Sequence, residues 1–440
     1  MTRFNRAALA FGVLLALGGC GIFKKATPHG ALLGERVPIL TSESGVEVEP
    51  SLAGVAVILP PATVNDAWSQ PGGNAAKSMG NVAYGATPTR VWQARIAGAT
   101  KEARLAAAPV IAGGKLYAMD TEGAVNAFDA ATGAKLWSAK FGDAGKNASS
   151  LFGGGVSVDG DILYATNGLG DIAALKAADG SVVWKKRPGP PLRGSPALAL
   201  GNVYAMSQDN QLFAIKAADG TVEWTEAAAV QLSGVFGVAA PSIAQGTVVA
   251  GFSSGDLNAY RYENGRTLWQ EALSRTSINT SVGTLSDIDA DPVIDQGRVF
   301  AIGQGGRMVS LELVTGQRLW EANIAGLSTP WVAGEWVFVV TDEGKLLCIA
   351  RATGKVRWVA QLQRYRKDKS KNGPVTWNGP VLAGDRLILV SSEGKMVTVL
   401  PADGTVQGTV DIGAPVFLAP VVANSTLYIL DNSGRISAFR

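Results

Sequence analysis

The sequence predicts an all-β protein, an eight-bladed β-propeller in which each blade has four strands. Three observations support this fold class. A turn motif ending in Trp recurs along the chain, and its copies are separated by the length of four short strands. The last copy is incomplete, and an unmatched half-copy precedes the first. A sandwich or a solenoid would not explain eight phased copies of which one is split between the two chain ends.

The repeated motif reads Ala-x-(Asp/Thr)-Gly-x-x-x-Trp, as in Ala217-Ala-Asp-Gly220-Thr-Val-Glu-Trp224. Asp-Gly, Asn-Gly or Thr-Gly at its centre is typical of hairpin turns, because Gly accepts a positive φ without steric cost. We expect each Trp to be buried between neighbouring blades. The Trp position recurs at spacings of 38 to 51 residues, at positions 92, 137, 184, 224, 269, 320, 358 and 408, the last of which is Gly408.

Strands can be predicted within each copy from short apolar or alternating runs. In the sixth copy they cover residues 329–332, 335–340, 344–350 and 355–358. The final copy ends at Arg440, before its own fourth strand. We therefore expect residues 89–97 to supply the fourth strand of the blade formed by 418–440, so that the ring closes and two exposed sheet edges pair. The propeller domain is predicted to span residues 89–440.

The N-terminus has the features of a bacterial secretory signal over residues 1–19: Arg3 and Arg6, an apolar run over 7–17, and small residues before Cys20. Leu17-Gly18-Gly19-Cys20 resembles the bacterial lipoprotein box, which implies that Cys20 is lipidated and anchors the mature chain. An ordinary secretory signal that happens to end in Cys is the alternative. Gly21 follows the Cys where an inner-membrane retention signal has Asp, so the resemblance implies the outer membrane.

Residues 20–88 contain repeated Pro and Gly and are predicted to be a tether, whose short apolar patches such as residues 55–58 are candidates for docking on the folded body. We expect loss of this segment to cost far less stability than loss of residues 89–97. The whole chain has one His, two Cys and a net charge of +3, from 39 Lys and Arg against 36 Asp and Glu. This composition argues against a zinc site, a disulfide framework and a His-based catalytic triad, and it gives no support for nucleic-acid binding. We therefore expect no catalytic residues, no metal and no cofactor.

The repeats also resemble those of pyrroloquinoline-quinone-dependent dehydrogenases, and a cofactor-binding propeller is therefore the alternative function. Against it, the chain has no pair of adjacent cysteines. Asp287-Ile-Asp289-Ala-Asp291 begins like a calcium loop, but an EF-hand needs Gly at the sixth position and Glu at the twelfth, where this chain has Pro292 and Arg298.

The lipoprotein box, the Pro-rich tether and the eight blades together resemble the BamB family, the propeller lipoproteins of the outer-membrane β-barrel assembly (Bam) machinery. The most specific local match is Leu285-Ser-Asp287-Ile-Asp289 between blades four and five. The resemblance implies that Asp287 and Asp289 contact the polypeptide-transport-associated (POTRA) domains of the central barrel protein. In an extended segment, the two carboxylates would project from the same side.

A second segment of the family lies just before blade four, where this chain has Val235 and Phe236, with Phe236 at the position of an Arg. The resemblance implies a non-enzymatic scaffold on the periplasmic face of the outer membrane that assists the insertion of β-barrel proteins. Other Bam lipoproteins and nascent outer-membrane proteins are further candidate partners. Loop capping and solubility are the alternative role for the two Asp residues, and a solvated loop is the favoured interpretation of the basic segment 364–371.

Overall fold

The computed structural model describes residues 46–85, 87–142, 150–229, 239–273 and 287–440. Eight four-stranded antiparallel sheets are arranged as the blades of a propeller, and the predicted fold class is confirmed. In each blade, four short strands lie side by side from the central channel to the rim. In the described part of the chain, no helix is long and apolar enough to cross a membrane.

Seven blades are continuous in sequence, and in each the first strand lies at the channel and the fourth at the rim. The strands of blades one to four are Val110–Ala112, Lys115–Met119, Ala124–Asp129 and Lys135–Lys140; Val156–Asp159, Ile162–Thr166, Ile172–Lys176 and Val182–Lys186; Leu192–Ala199, Asn202–Ser207, Gln211–Lys216 and Val222–Ala227; and Ser242–Ala244, Thr247–Gly251, Asp256–Arg261 and Thr267–Ala272. Those of blades five to seven are Val293–Asp295, Arg298–Ile302, Met308–Glu312 and Arg318–Ala322; Trp331–Ala333, Trp336–Val340, Lys345–Ala350 and Val356–Gln361; and Trp377–Ala383, Arg386–Ser391, Lys395–Val399 and Val406–Asp411.

The eighth blade combines both ends of the described chain. Its inner strands are Val421–Ala423, Thr426–Leu430 and Arg435–Phe439, and its outer strand is Arg90–Arg95. The outer strand pairs antiparallel with Arg435–Phe439, and Thr89 and Arg440 exchange backbone hydrogen bonds of 2.7 and 2.9 Å. The pairing covers an edge that would otherwise expose unpaired backbone groups.

The motif Trp residues join each blade to the next. Trp358 donates from its Nε1 to the carbonyl oxygen of Pro401 at 2.9 Å. Its ring lies against Gly404, whose φ is +79°, and a Cβ at Gly404 would lie 2.8 Å from the ring carbon Cε3. The same Nε1 bond to the next blade is made by Trp92, Trp137, Trp184, Trp224, Trp269 and Trp320.

This junction explains why the motif of blade seven ends in Gly408 instead of Trp. The Trp of each blade packs on the turn between the third and fourth strands of the next blade. In blade eight the fourth strand is Arg90–Arg95, which comes from the other end of the propeller sequence, so no turn joins it to the third strand. A Trp at position 408 would have no such turn to pack against.

Residues 63–83, here called the strap, form a closed loop across one end of the central channel. Thr63 and Ala83 close it, because the Thr63 N–H bonds to Asn81 and the Ala83 N–H bonds to Thr63, at 3.0 and 2.7 Å. Between these ends the strap hydrogen-bonds to every blade in turn, mostly where the first strand leads into the second. In the order of blades eight, one, two, three, four, five, six and seven, the strap residues are Asn65, Trp68, Ser69, Gln70, Ala75, Ala76, Gly80 and Val82.

The strap differs from the tether that the sequence predicts for this region. The residues just before it also pack on the propeller: Val48 bridges to Val356 of blade six, and Glu49 forms a 2.9 Å ion pair with Lys355. Trp68 and Val82 are buried in the core. The contacts are mainly backbone hydrogen bonds, so Pro and Gly do not prevent them and a Pro/Gly-rich composition does not reveal them.

Candidate partner-binding site at the central cavity

The strap forms the floor of a cavity of about 230 Å³ in the central channel. The walls come from the starts of the first strands, or from the residues just before them, in seven of the eight blades. The polar side chains of the lining are Gln70, Lys77, Ser195, Asp289, Asp291 and Asn378, together with the hydroxyls of Ser328 and Thr329. Phe417, which is 48% exposed, lines the cavity where it meets solvent.

Residues 287–291 hold two of the predicted partner-binding residues, and buried Ile288 anchors this segment. The Ile288 N–H donates to the carbonyl oxygen of Phe252 at 3.2 Å, and its side chain packs on Gly251. The carbonyl oxygen of Asp287 accepts the Gln304 N–H at 2.9 Å. Asp287 is 1% exposed, so only Asp289 of the pair lines the cavity in this conformation.

Asp289 is held in an environment that disfavours its negative charge. Burial is the main cause, the neighbouring Asp287 carboxylate adds to it, and Arg193 partly offsets both. Together they raise the pKa of Asp289 to about 7. Its Oδ2 atom is buried and has no hydrogen-bond partner. This carboxylate can therefore accept a donor from a bound molecule at little further desolvation cost.

Lys77 and Asp291 place a second pair of charges in the same cavity. Lys77 of the strap is 3% exposed, and its Nζ has no hydrogen-bond partner. Burial lowers the pKa of Lys77 to about 8, while the charge of Asp291 opposes this shift. Burial raises the pKa of Asp291, and Lys77 and a hydrogen bond from Ala240 oppose it. No sequence motif marks Lys77, and it was not among the predicted site residues.

The flanks of the two predicted partner-binding segments meet at this cavity. Ala240, which follows the segment with Val235 and Phe236, donates its N–H to Oδ1 of Asp291 at 2.7 Å. Asp291 in turn follows Asp289 by two residues, and Ala240 lines the same cavity. Val235, Phe236, Leu285 and Cys20 themselves lie outside the described residues.

The basic segment 364–371 begins a two-stranded hairpin of Tyr365–Lys367 and Asn372–Pro374, with a short 3₁₀ helix over Asp368–Ser370. Arg364 forms an ion pair with Glu343 at 2.9 Å, and Arg366 forms one with Glu393 at 2.5 Å. The two arginines thus tie the hairpin to blades six and seven. Across the described ranges, no group of three or more His, Cys, Asp and Glu side chains could hold a metal ion.

The sequence model of a protein family described as outer membrane protein assembly factor BamB matches residues 85–142 and 121–360, which is more than half of the chain. The chain belongs to the BamB family. The pyrroloquinoline-quinone-like character of the repeats, predicted from the turn motif, agrees with this assignment.

Curated relatives carry the same name and match over most of their length. Outer membrane protein assembly factor BamB of Yersinia pestis is 28% identical over 80% of this chain and 89% of its own. The BamB of Burkholderia pseudomallei is also 28% identical, over 80% of this chain and 87% of its own.

Solved structures show the same fold. BamB from Moraxella catarrhalis superposes with a TM-score of 0.68 at 18% identity, over 80% of this chain and all of that one. The quinohemoprotein alcohol dehydrogenase from Comamonas testosteroni gives a TM-score of 0.65 at 13% identity, over 86% of this chain and 81% of that one. At these identities the likeness concerns the propeller alone, so it does not extend dehydrogenase chemistry to this chain.

Proposed function

We propose that this protein is an assembly factor of the outer membrane, a non-enzymatic scaffold subunit of the Bam complex that assists the folding and insertion of β-barrel proteins. The observation that carries the proposal is membership of the BamB family, whose relatives are named outer membrane protein assembly factors. Other Bam lipoproteins and nascent outer-membrane proteins are further candidate partners. The fold suits a scaffold, because rigid blades present inter-blade loops at defined positions.

The anchor of this scaffold is proposed to be a lipid on Cys20, which would hold the propeller at the periplasmic face of the outer membrane. The support is the sequence Leu17-Gly-Gly-Cys20 that follows a short apolar segment, with Gly21 next. In this arrangement residues 1–19 are removed from the mature chain. Lipidation would attach a chain whose described part starts at Val46, beside blade six.

The partner of the central site is proposed to be the POTRA domains of the central barrel protein, bound through Asp287 and Asp289 together with Leu285, Val235 and Phe236. Asp289 has a buried carboxylate oxygen without a donor, so a basic side chain of the partner can supply one. Asp287 contributes indirectly: its charge raises the pKa of Asp289, and its backbone carbonyl oxygen helps to anchor the segment. Truncating one member of a buried charged pair typically costs about 2–5 kcal/mol of binding free energy.

Binding of the purified chain to isolated POTRA domains tests this proposal. The double variant Asp287→Ala/Asp289→Ala should bind at least about tenfold more weakly, and Asp289→Asn, which keeps the shape, should lose a large part of the same affinity. Asp411→Asn, at an exposed carboxylate on the rim of blade seven, is the matched control. In cells, Cys20→Ala should leave the membrane fraction while retaining POTRA affinity in solution.

Wild-type affinity in the double variant, with an unchanged melting temperature, would remove these residues from the site. A double variant that unfolds would support the capping role of the two Asp residues instead. Stoichiometric binding of pyrroloquinoline quinone and Ca²⁺ by the wild-type chain would favour the dehydrogenase alternative over a scaffold.

A further inference from the structure

The floor of the central cavity holds a buried cation, Lys77, whose Nζ has no hydrogen-bond partner although the charge of Asp291 acts on it. The strap delivers Lys77 with a left-handed backbone, at φ +61°, and Gly72 packs against its side chain where a Cβ would collide. The stem is thereby directed inward and the ammonium group is buried. A buried charge without a hydrogen bond costs several kcal/mol of folding free energy. Such an arrangement is typical of a site that pairs the charge with a ligand.

An unsatisfied acceptor lines the same cavity. The buried Oδ2 of Asp289 has no donor, and Asp291 uses its Oδ1 for the Ala240 N–H. The Lys77 ammonium group needs acceptors, whereas Asp289 needs a donor. Because both residues line one small cavity, a ligand that satisfies both must offer a negatively charged acceptor and an N–H donor within one small molecule or one residue.

The remaining walls restrict the size and polarity of that ligand. Trp68 and Trp331 lie at the floor with stacked rings, 6.1 Å between centroids and 22° between planes, and Val381 and Phe417 complete an apolar side. The volume of about 230 Å³ is below the roughly 300–1,000 Å³ of pockets for drug-sized molecules. The space therefore suits one amino-acid residue better than a large cofactor.

We propose that the central cavity binds the carboxylate end of an α-amino acid, either as a free amino acid or as the C-terminal residue of a peptide. Its carboxylate pairs with Lys77, its α-nitrogen donates to Asp289, and its side chain lies along the Trp68, Trp331 and Phe417 wall. A simple inorganic anion would satisfy Lys77 but would leave Asp289 without a donor. The inference stands apart from the proposed function, although Asp289 belongs to both sites.

Calorimetric titration of the full mature chain with three small probes tests the inference. L-leucine has both groups, N-acetyl-L-leucine keeps the carboxylate but has only an amide N–H, as a peptide does, and L-leucinamide lacks the carboxylate. We expect binding of L-leucine or N-acetyl-L-leucine, and binding of L-leucinamide at least about tenfold weaker. Binding of L-leucine alone identifies the free amino acid as the ligand, and binding of N-acetyl-L-leucine as well identifies the peptide C-terminus.

Lys77→Met keeps the length of the side chain and removes its charge, so it should abolish binding of the carboxylate probes. Lys371→Met is the matched control, because Lys371 also has a left-handed backbone, at φ +49°, but lies on the exposed basic hairpin. Lys371→Met should also bind the POTRA domains as the wild type does, and the probe titrations contain no POTRA domains, so a failure here is distinguishable from a failure of the proposed function.

The inference is overturned if neither carboxylate probe binds the wild type, if L-leucinamide binds equally well, or if Lys77→Met binds the probes unchanged. The three probes on the wild-type chain test the inference even if Lys77→Met does not fold.

Discussion

The backbone contacts of the strap and the cavity above it have opposite chemistry, although both lie against the first strands of the blades. The strap forms a hydrogen bond with every blade. In the cavity, Nζ of Lys77, itself a strap residue, and Oδ2 of Asp289 are buried and have no hydrogen-bond partner. The first arrangement is what stability requires, whereas the second costs stability. This difference is expected if the hydrogen bonds of the strap serve the fold and the cavity serves the binding proposed above.

Replacing the strap should produce the largest effect. A Gly/Ser segment of equal length in place of residues 63–83 would lose the burial of Trp68 and Val82 and leave backbone groups of the first strands unpaired. We expect a loss of several kcal/mol in the free energy of unfolding, at about 2 kcal/mol or more for each large apolar side chain. Urea denaturation followed by Trp fluorescence measures it.

Residues 53–58 provide the control for this replacement, because Val55 and Ile58 are 41% and 76% exposed. The same Gly/Ser substitution in residues 53–58 should change the midpoint of the urea denaturation curve only slightly. Equal losses of unfolding free energy in the two variants would mean that the strap contributes no more to stability than an exposed surface segment does.

A single strap side chain should give an intermediate effect. Gln70 is buried and pairs with both backbone groups of Leu198, accepting its N–H at 2.8 Å and donating to its carbonyl oxygen at 3.2 Å. Gln70→Ala leaves the N–H and the carbonyl oxygen of Leu198 buried and unpaired, and we expect the free energy of unfolding to fall by about 1–3 kcal/mol. Gln93→Ala is the control, since Gln93 is exposed on the outer strand of blade eight and its side chain donates to the Ser437 hydroxyl at 3.2 Å. Similar melting temperatures for the two variants would contradict the role given to the strap.

The propeller could be predicted from the sequence because each blade contains its own turn and its own Trp, so the pattern repeats within 38 to 51 residues. The strap could not be predicted from the sequence, because its backbone hydrogen bonds join residues as far apart as Asn65 and Asn424 and need no particular side chains. Asp289 was found through a family resemblance in a short segment. Lys77 was missed because its position depends on where the strap crosses the channel, which no local pattern records.

The remaining effect is specific to the cavity: a pH dependence of stability that arises from Lys77 and Asp289, the two groups with buried atoms that have no hydrogen-bond partner. The pKa of Lys77 is lowered to about 8, so between about pH 8 and 10.5 the unfolded chain binds more protons at this lysine. Stability contributed by Lys77 therefore rises with pH across that window. The pKa of Asp289 is raised to about 7 by burial and by Asp287, so between about pH 4 and 7 the folded chain binds more protons there. Stability contributed by Asp289 therefore falls as pH rises toward 7.

The melting temperature should be measured from pH 4 to 10 for the wild type, Lys77→Met and Asp289→Asn, because differences between curves cancel the titration of other groups, including the buried tyrosines. Above pH 8 the melting temperature of the wild type should rise relative to that of Lys77→Met. Between pH 4 and 7 it should fall relative to that of Asp289→Asn. Parallel curves for all three proteins would mean that neither group is held in the unfavourable environment that distinguishes the cavity from the hydrogen-bonded contacts of the strap.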